Sequence, residues 1–270
     1  MDRDYSIGVA TTLDEYDSII MRSALYPLQL GLSIEKQQKL DTVYRGHADK
    51  NYSLLPSVFR NGNLREEDKN IRDFEKNNKA LLKKCNSDFD KIATMQHYGM
   101  PTRFLDFTIS HRQALYFACN KEKDKDGQVI IFRTNHIDSD SEEIKTLVAF
   151  AQLPFELKNV YDSLREEMNQ ILPDSALCRN LGKHYLVYPR ISNERLRLQK
   201  GAFVVFGQRR SAVGSKEISS LFDRNMHVEG YFAYVDIPAH AKDLILLELE
   251  KIGIAHDTVY PEPFGDKVIR

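Results

Sequence analysis

Polar and ionisable side chains are concentrated in one otherwise apolar stretch, MQHYGMPTRFLDFTISHRQALYFA, residues 95–118. Within it, Arg103 directly precedes the apolar run 104–107, and Asp106 interrupts that run. An unpaired buried charge is costly, so a carboxylate in this setting should be paired with an arginine. Arg103 and Arg45 are the two candidates for that partner. The pair could be a structural ion pair or part of a catalytic site, and the sequence leaves both interpretations open.

The tripeptide Tyr44-Arg45-Gly46 ends a second run of strand-forming residues. An arginine that ends a strand beside a glycine can reach into a cleft and bind a phosphate or carboxylate through two parallel N–H bonds. An arginine lying along a strand edge with its charged end in water would produce the same tripeptide. The tripeptide therefore indicates an anion contact only together with other motifs.

Two helix ends carry further groups that could bind a ligand. Thr108 and Ser110 precede a helical pattern that begins at His111, and either hydroxyl could cap that helix. The free N–H groups of such an end also bind anions. His97 and Tyr98 end the preceding helical pattern, where they could stack on a base or nicotinamide. A capped helix terminus is the alternative interpretation of that pair.

Charge and composition disfavour several classes of partner. The chain has 38 basic and 39 acidic residues and a formal net charge of -1, which does not favour nucleic-acid binding. No run approaches the roughly 20 apolar residues of a membrane span, and the first ten residues lack a secretory signal pattern. The three cysteines are scattered, which argues against a disulfide framework or zinc site. We therefore expect a cytoplasmic protein with no metal and no membrane partner.

The patterns predict an α+β fold with a mixed or antiparallel central sheet and flanking helices. Residues 1–270 are predicted to form a single domain, with an N-terminal strand and helix extension at 1–40 and a helical insertion at 140–175. Predicted strands cover 42–47, 104–107, 128–132, 185–188, 202–206 and 230–237. Predicted helices cover 12–25, 66–84, 87–98, 111–120, 140–172 with a break near Pro154, 193–200 and 243–252. Residues 208–226 are predicted to form a loop.

Three blocks in this order resemble the FRG domain family. They are Tyr44-Arg45-Gly46, the block 96–118, and the block from Arg195 through Gln199 to Phe203. The family takes its name from a Phe-Arg-Gly motif, in which this chain has tyrosine in place of phenylalanine. The resemblance covers about residues 40–265. Because FRG proteins are mostly bacterial and phage-encoded, it implies a toxin or phage-defence setting with a phage or host protein as partner.

A more distant likeness is to ADP-ribosyltransferase-like folds, and it implies a nucleotide ligand with NAD as substrate. In those enzymes an aromatic-Arg strand binds the NAD phosphates, which implies that role for Arg45 flanked by Tyr44 and Gly46. Ser/Thr residues after a later strand imply that Thr108 or Ser110 supports the ribose.

The same likeness implies that His97 and Tyr98 hold the nicotinamide side. It places Gln199 where such enzymes carry a catalytic glutamate, so that Gln199 could bind a ribose hydroxyl but could not act as a base. Asp106 would then be the acidic group, or would orient Arg103. Two hypotheses follow: an enzyme that transfers ADP-ribose or cleaves NAD, and a non-catalytic ligand-sensing or protein-interaction module that kept the pocket.

Overall fold

The computed structural model describes residues 6–23, 40–157, 159–189, 199–210, 216–217 and 230–260. Most of the predicted helix at 193–200 and most of the predicted loop at 208–226 lie outside the described residues. Within that loop, the short strands 209–210 and 216–217 pair with each other, so the prediction of a loop throughout is wrong there.

The predicted α+β class with a mixed central sheet is confirmed. Eight strands form one sheet: β1 (Ser6–Val9), β2 (Asp41–His47), β3 (Phe104–Thr108), β4 (Gly127–Thr134), β5 (His136–Ile137), β6 (His184–Val187), β7 (Gly201–Phe206) and β10 (Gly230–Ile237); β8 (Arg209–Arg210) and β9 (Lys216–Glu217) form a separate two-stranded sheet. The order in the large sheet is β1-β10-β4-β2-β3-β7-β6-β5, parallel at its two outer pairs and antiparallel elsewhere.

Ten α-helices flank the sheet in the described part of the chain. They are α1 (Leu13–Ser23), α2 (Glu67–Asn77), α3 (Lys79–Leu82), α4 (Asp88–His97), α5 (His111–Cys119), α6 (Glu142–Gln152), α7 (Val160–Met168), α8 (Asp174–Leu181), α9 (Lys242–Lys251) and α10 (His256–Val259). The predicted helix at 66–84 is divided at Asn78, whose side chain donates to the Phe74 carbonyl and ends α2. None of the described helices is long and apolar enough to cross a membrane.

The pairing of strands is nearly lost at the centre of the sheet, between β2 and β3. Strand β2 pairs with β4 over seven residues and β3 pairs with β7 over five, yet β2 and β3 share the single register pair Tyr44↔Thr108. Since antiparallel neighbours normally pair along their length, the two half-sheets separate on one side of that contact. The gap lies between the C-terminal end of β2 and the N-terminal part of β3.

Two cores each support one half-sheet, and a third core, which includes Phe132 of β4, Phe107 of β3 and Val204 of β7, joins them. Helices α1, α5 and α9 pack with β4 and β10, and α2, α4, α6, α7 and α8 pack with β3 and β7. The predicted helical insertion at 140–175 contains α6 and α7 and begins α8. That the chain forms a single domain stays a prediction.

Gly46 allows α5 to lie directly against β2. A Cβ atom built on Gly46 would lie 2.0 Å from the backbone oxygen of Ala114 and 2.6 Å from the backbone nitrogen of Ala118. Only a residue without a side chain fits that approach. The glycine of the Tyr-Arg-Gly motif thus has a packing function, and it fixes α5 beside the gap in the sheet.

Candidate functional site

A cavity of about 360 Å³ occupies the gap between the two half-sheets. Its volume falls at the lower end of the range for small-ligand pockets. Seven of the ten predicted site residues line it: Tyr44, Arg45, Gly46, His97, Asp106, Thr108 and Gln199. Residues that the sequence analysis did not select also line it, among them His47, Tyr52, Arg60, Gln96, Asn120, Lys121 and Tyr260. Three predicted residues, Tyr98, Arg103 and Ser110, are not part of the lining.

Arg45 bridges the gap between β2 and β3. Its Nη1 donates to the backbone carbonyl oxygen of Asp106 at 2.5 Å, and its Nε donates to Nε2 of His47 at 3.1 Å. In the segment that contains β3, the backbone groups of odd-numbered residues point towards β7. The Phe206 N–H, for example, donates to the carbonyl of Arg103. The carbonyl of Asp106 therefore faces β2, and the Arg45 side chain takes the place of the missing ladder donor.

His47 is held as a neutral imidazole. Its Nε2 accepts from Arg45, so the ring proton must reside on Nδ1. Burial, reinforced by the charges of Arg45 and Arg60, lowers the pKa of His47 to about 3. The ring is 3% exposed, and its Nδ1 is buried with no hydrogen-bond partner among the described residues. His47 thus fixes the guanidinium of Arg45 without adding charge to the cavity.

Cationic side chains outnumber anionic ones in the described lining. Arg45, Arg60 and Lys121 are basic, and Asp106 is the one carboxylate. Within the described residues no carboxylate forms an ion pair with Arg45 or Arg60; the Nε of Arg60 donates to the Leu55 carbonyl at 2.9 Å. Burial lowers the pKa of both arginines, although a guanidinium stays protonated in proteins. The cavity therefore complements an anion.

Asp106 is oriented by a short chain of hydrogen bonds. Its Oδ1 accepts from Nε2 of Gln96 at 2.8 Å, and Oε1 of Gln96 accepts from the Thr102 hydroxyl. The same hydroxyl accepts from the backbone N–H of Phe104 at 3.2 Å. Asp106 is the one exposed residue in β3, whose other four residues are buried. The chain therefore holds a solvent-accessible carboxylate in a defined orientation.

Thr108 and Gln199 join the cavity wall to other elements. The Thr108 hydroxyl donates to the Gln199 carbonyl at 2.8 Å and accepts from the Ser110 N–H at 3.0 Å. The Gln199 side-chain amide donates to the Val259 carbonyl at 3.3 Å. Both side chains are thus engaged by the protein, which ties β3 to the segment before β7 and to α10. Their roles in ligand binding stay predictions.

Of the two arginines proposed as partners of Asp106, Arg103 is not its partner. Arg103 is fully buried and forms a two-bond ion pair with Glu67 of α2, while its Nη1 donates to the Phe206 carbonyl at 3.3 Å. Its guanidinium also lies 5.3 Å from the ring centre of Phe150. Three residues of extended chain, about 10 Å, separate Arg103 from Asp106. A buried guanidinium needs the buried carboxylate of Glu67, whereas the exposed Asp106 can be solvated.

Tyr98 and Ser110 have structural contacts outside the cavity lining. The Tyr98 ring lies 6.4 Å from that of Phe74 and 5.4 Å from that of His97. Ser110 is the N-cap of α5, since its hydroxyl accepts from the Gln113 N–H at 3.4 Å. For Ser110 the capping alternative drawn from the sequence is thus confirmed. Only His97 of the His-Tyr pair lines the cavity.

Some of the missed residues carried a signal in the sequence. His47 is two residues beyond Arg45 on one strand, so both side chains lie on the same face. Gln96 directly precedes His97 in the polar block. Arg60 and Lys121 follow a short 3-10 turn and α5 in loops, and only the tertiary fold brings them to the cavity. Within the described ranges, no three His, Cys, Asp or Glu side chains are grouped as metal ligands would be.

The fold and the cavity define an α+β protein with an anion-complementary pocket where its central sheet separates. The model of the FRG domain family matches residues 41–127. That match spans about a third of the chain and includes β2, β3 and most of the cavity lining, whereas Gln199, Phe203 and Tyr260 lie beyond it. No curated protein and no solved structure gave a significant match.

Proposed function

We propose that the cavity binds a nucleotide through its phosphates and that the chain handles NAD, by transferring ADP-ribose or by cleaving the bond to nicotinamide. One observation carries this proposal: three cations, Arg45, Arg60 and Lys121, line the cavity against a single carboxylate, Asp106, in the described lining. Burial disfavours the charged form of the Arg45 guanidinium, and the charge of Asp106 offsets part of that cost. A bound phosphate would offset more of it.

The orientation of Arg45 leaves donors for a phosphate contact. Asp106 and His47 engage Nη1 and Nε, and no described residue accepts from Nη2. A guanidinium held at two of its nitrogens loses little further conformational entropy when its remaining N–H groups bind phosphate oxygens. Arg60 and Lys121 add positive charge on the same cavity. Together they favour a pyrophosphate over a single carboxylate.

Aromatic side chains supply the surface that a base or nicotinamide ring requires. Tyr44, His97, Phe117 and Tyr260 line the cavity together with the exposed Tyr52. Stacking on such rings adds affinity for any planar heterocycle. The lining therefore combines a cationic part for phosphates with aromatic parts for rings, which is the combination that a nucleotide needs.

Asp106 is the proposed acidic group of the reaction. Hydrolysis of NAD breaks the bond between the ribose carbon and the nicotinamide nitrogen; water adds to that carbon, and ADP-ribose, nicotinamide and a proton are formed. The ribose carbon becomes cationic in the transition state, and a nearby carboxylate stabilises that charge. Asp106 supports this role as the one carboxylate of the described lining.

The setting is proposed from the FRG domain. We infer a role in a bacterial or phage toxin or phage-defence system, with a phage or host protein as partner. Nucleic acid is disfavoured as a partner by the near-neutral net charge. The cytoplasmic location stays a prediction.

The proposal is tested by NAD binding and nicotinamide release. Calorimetry should show saturable NAD binding by the wild type, weakened about a hundredfold or more in Arg45→Ala and partly restored in Arg45→Lys, because lysine keeps the charge but not the bidentate geometry. Arg72→Ala is the matched control, since Arg72 pairs with Asp68 on the surface of α2. Unchanged NAD binding in Arg45→Ala would refute the proposal.

A second candidate function is a non-catalytic ligand-sensing module. It is favoured by Gln199, which carries no carboxylate and whose amide is engaged by Val259. Such a module would bind NAD with the same dependence on Arg45 but would release no nicotinamide. Release that is abolished by Asp106→Asn would decide for the enzyme.

A further inference from the structure

We propose that the second carboxylate oxygen of Asp106, Oδ2, accepts a hydrogen bond from a sugar hydroxyl of the ligand, and that Gln96 is the positioning residue that orients it. The ligand class is then a phosphorylated sugar, such as the ADP-ribose part of a dinucleotide, and not a bare polyphosphate. This inference rests on the proposed function, because it takes the anion to be bound at Arg45 and Arg60.

The hydrogen bonds of the chain favour one orientation of the Gln96 amide. The Thr102 hydroxyl accepts from the Phe104 N–H, so its own proton is available to Oε1 of Gln96. The amide of Gln96 is thereby oriented with its N–H₂ group towards Asp106. A donor at that position requires Oδ1 of Asp106 to accept. The carboxylate is therefore an acceptor, and a ligand group that meets it must be a donor.

One oxygen of Asp106 remains available for such a donor. Gln96 engages Oδ1, and no described residue donates to Oδ2. The side chain is exposed and lines the cavity. Phosphate oxygens carry no proton to donate in their ionised form and would be repelled by Oδ2. Sugar hydroxyls are neutral donors and fit the position.

The placement of Asp106 is not required by the fold. Aspartate is disfavoured within strands, and here it faces Phe203 of β7 in the middle of the sheet. It forms no ion pair with a described residue, unlike the buried pair of Arg103 and Glu67. Its charge stabilises the protonated form of Arg45, which lines the same cavity, so the contacts of Asp106 belong to the cavity and not to the pairing of the strand.

The cavity thus presents a group that binds an anion and a group that binds a hydroxyl next to each other. The backbone carbonyl of Asp106 binds Nη1 of Arg45, so the carboxylate and the guanidinium belong to adjoining parts of the wall. A ligand that satisfies both must carry an anionic group and a hydroxyl within a few ångströms of each other. Ribose joined to a pyrophosphate meets this requirement, whereas inorganic pyrophosphate meets only half of it.

The test compares two probes, ADP-ribose and inorganic pyrophosphate, by calorimetry on the full chain. Asp106→Asn replaces the acceptor Oδ2 by a donor or, if the amide is reversed, breaks the contact with Gln96. We expect ADP-ribose to bind about ten- to a hundredfold more weakly to this variant, the range for a hydrogen bond to a charged group. Pyrophosphate should bind equally well or more tightly, because a nearby negative charge is removed. Asp73→Asn, an exposed change on α2, is the matched control.

Gln96→Met removes the donor at nearly constant volume and should weaken ADP-ribose about two- to tenfold while leaving pyrophosphate unchanged. Gln170→Met, at an exposed position, is its control. The inference would be overturned if the variants changed the affinity for both probes equally or left the affinity for ADP-ribose unchanged. It would also be overturned if the wild type bound both probes equally well. Each of these outcomes would leave the proposed function intact. A wild type that binds neither probe would overturn both proposals.

Discussion

The Nη1 atom of Arg45 lies 2.5 Å from the backbone carbonyl oxygen of Asp106, across the gap where β2 and β3 cease to pair. A side chain thus forms the contact that a backbone N–H would form in a continuous sheet. Because the guanidinium is longer than a ladder bond, the two strands stay apart and the cavity is kept open between them. The contact that bridges the gap therefore also positions the cation proposed to bind phosphate.

Loss of the His47 acceptor should loosen Arg45. His47→Phe keeps a ring of similar size but removes Nε2, which accepts from Arg45 at 3.1 Å. We expect pyrophosphate affinity to fall about two- to tenfold, the effect of one hydrogen bond. His47→Gln offers an amide oxygen near the position of Nε2 and should restore most of the affinity. Calorimetry on the two variants checks this, and equal loss in both would contradict the positioning role.

Acid should destabilise the fold through His47. Its folded pKa of about 3 is below the usual 6.5, so the unfolded chain binds a proton more readily than the folded chain between these values. The contribution of His47 to stability is complete above about pH 6.5 and is lost as the pH falls towards 3, by up to about 1.4 kcal/mol per pH unit. Urea unfolding at pH 7, 6, 5 and 4 measures it. His47→Gln should show a shallower decline than the wild type.

Gly46→Ala should be severely destabilising. The added methyl group would lie 2.0 Å from the Ala114 carbonyl oxygen, so α5 would have to move away from β2. We expect a loss of about 3 kcal/mol or more in the free energy of unfolding. Gly182→Ala is the matched control, because its Cβ would approach the Cys178 oxygen only to 3.2 Å. Denaturant midpoints that are equal for the two variants would contradict the proposed packing function.

Arg103 and Arg45 should respond to substitution in opposite ways. Arg103→Met leaves the buried carboxylate of Glu67 without its partner, at a cost of about 3–5 kcal/mol. Protein that still folds should bind pyrophosphate normally, since Arg103 is not part of the cavity lining. Arg45→Ala should reverse this pattern, with little loss of stability and a large loss of affinity. Unfolding and calorimetry on both variants separate the two roles.

Much of the fold could be predicted because local patterns determine it. The hydroxyl of Ser110 caps α5 as the sequence indicates, accepting from the Gln113 N–H group. Ser87 caps α4 in the same way, accepting from the Asp90 N–H group. Such contacts span three residues and need no tertiary information. Strands β2, β3, β4, β6, β7 and β10 were predicted within a few residues because their strand-forming runs are local. The short strands β5, β8 and β9 were not predicted.

The candidate site was only partly predictable because it depends on which partner each charge meets. Asp106 and Arg103 are three residues apart in sequence, yet Arg103 pairs with Glu67, 36 residues away. Arg60 reaches the cavity from a loop that carries no motif. A single sequence shows that a charge needs a partner but does not select that partner, and the break between β2 and β3 has no local signature.

Lys242 should stabilise one part of the cavity wall. Its fully buried ammonium group donates to the backbone carbonyls of Ala48 at 2.6 Å, Glu122 at 2.8 Å and Lys121 at 3.3 Å. Burial lowers its pKa, and the three carbonyl dipoles offset part of that cost. Ala48 and Lys121 line the cavity, so Lys242 joins the end of β2 to the loop after α5.

Lys242→Met fills a similar volume but leaves these carbonyls without their donor. We expect a loss of about 2–4 kcal/mol in the free energy of unfolding and, because the wall at Ala48 and Lys121 loosens, a several-fold loss of pyrophosphate affinity. Lys251→Met, an exposed change at the other end of α9, is the control and should alter neither quantity. A Lys242→Met variant that is destabilised but binds pyrophosphate as tightly as the wild type would show that Lys242 stabilises the fold without supporting the cavity.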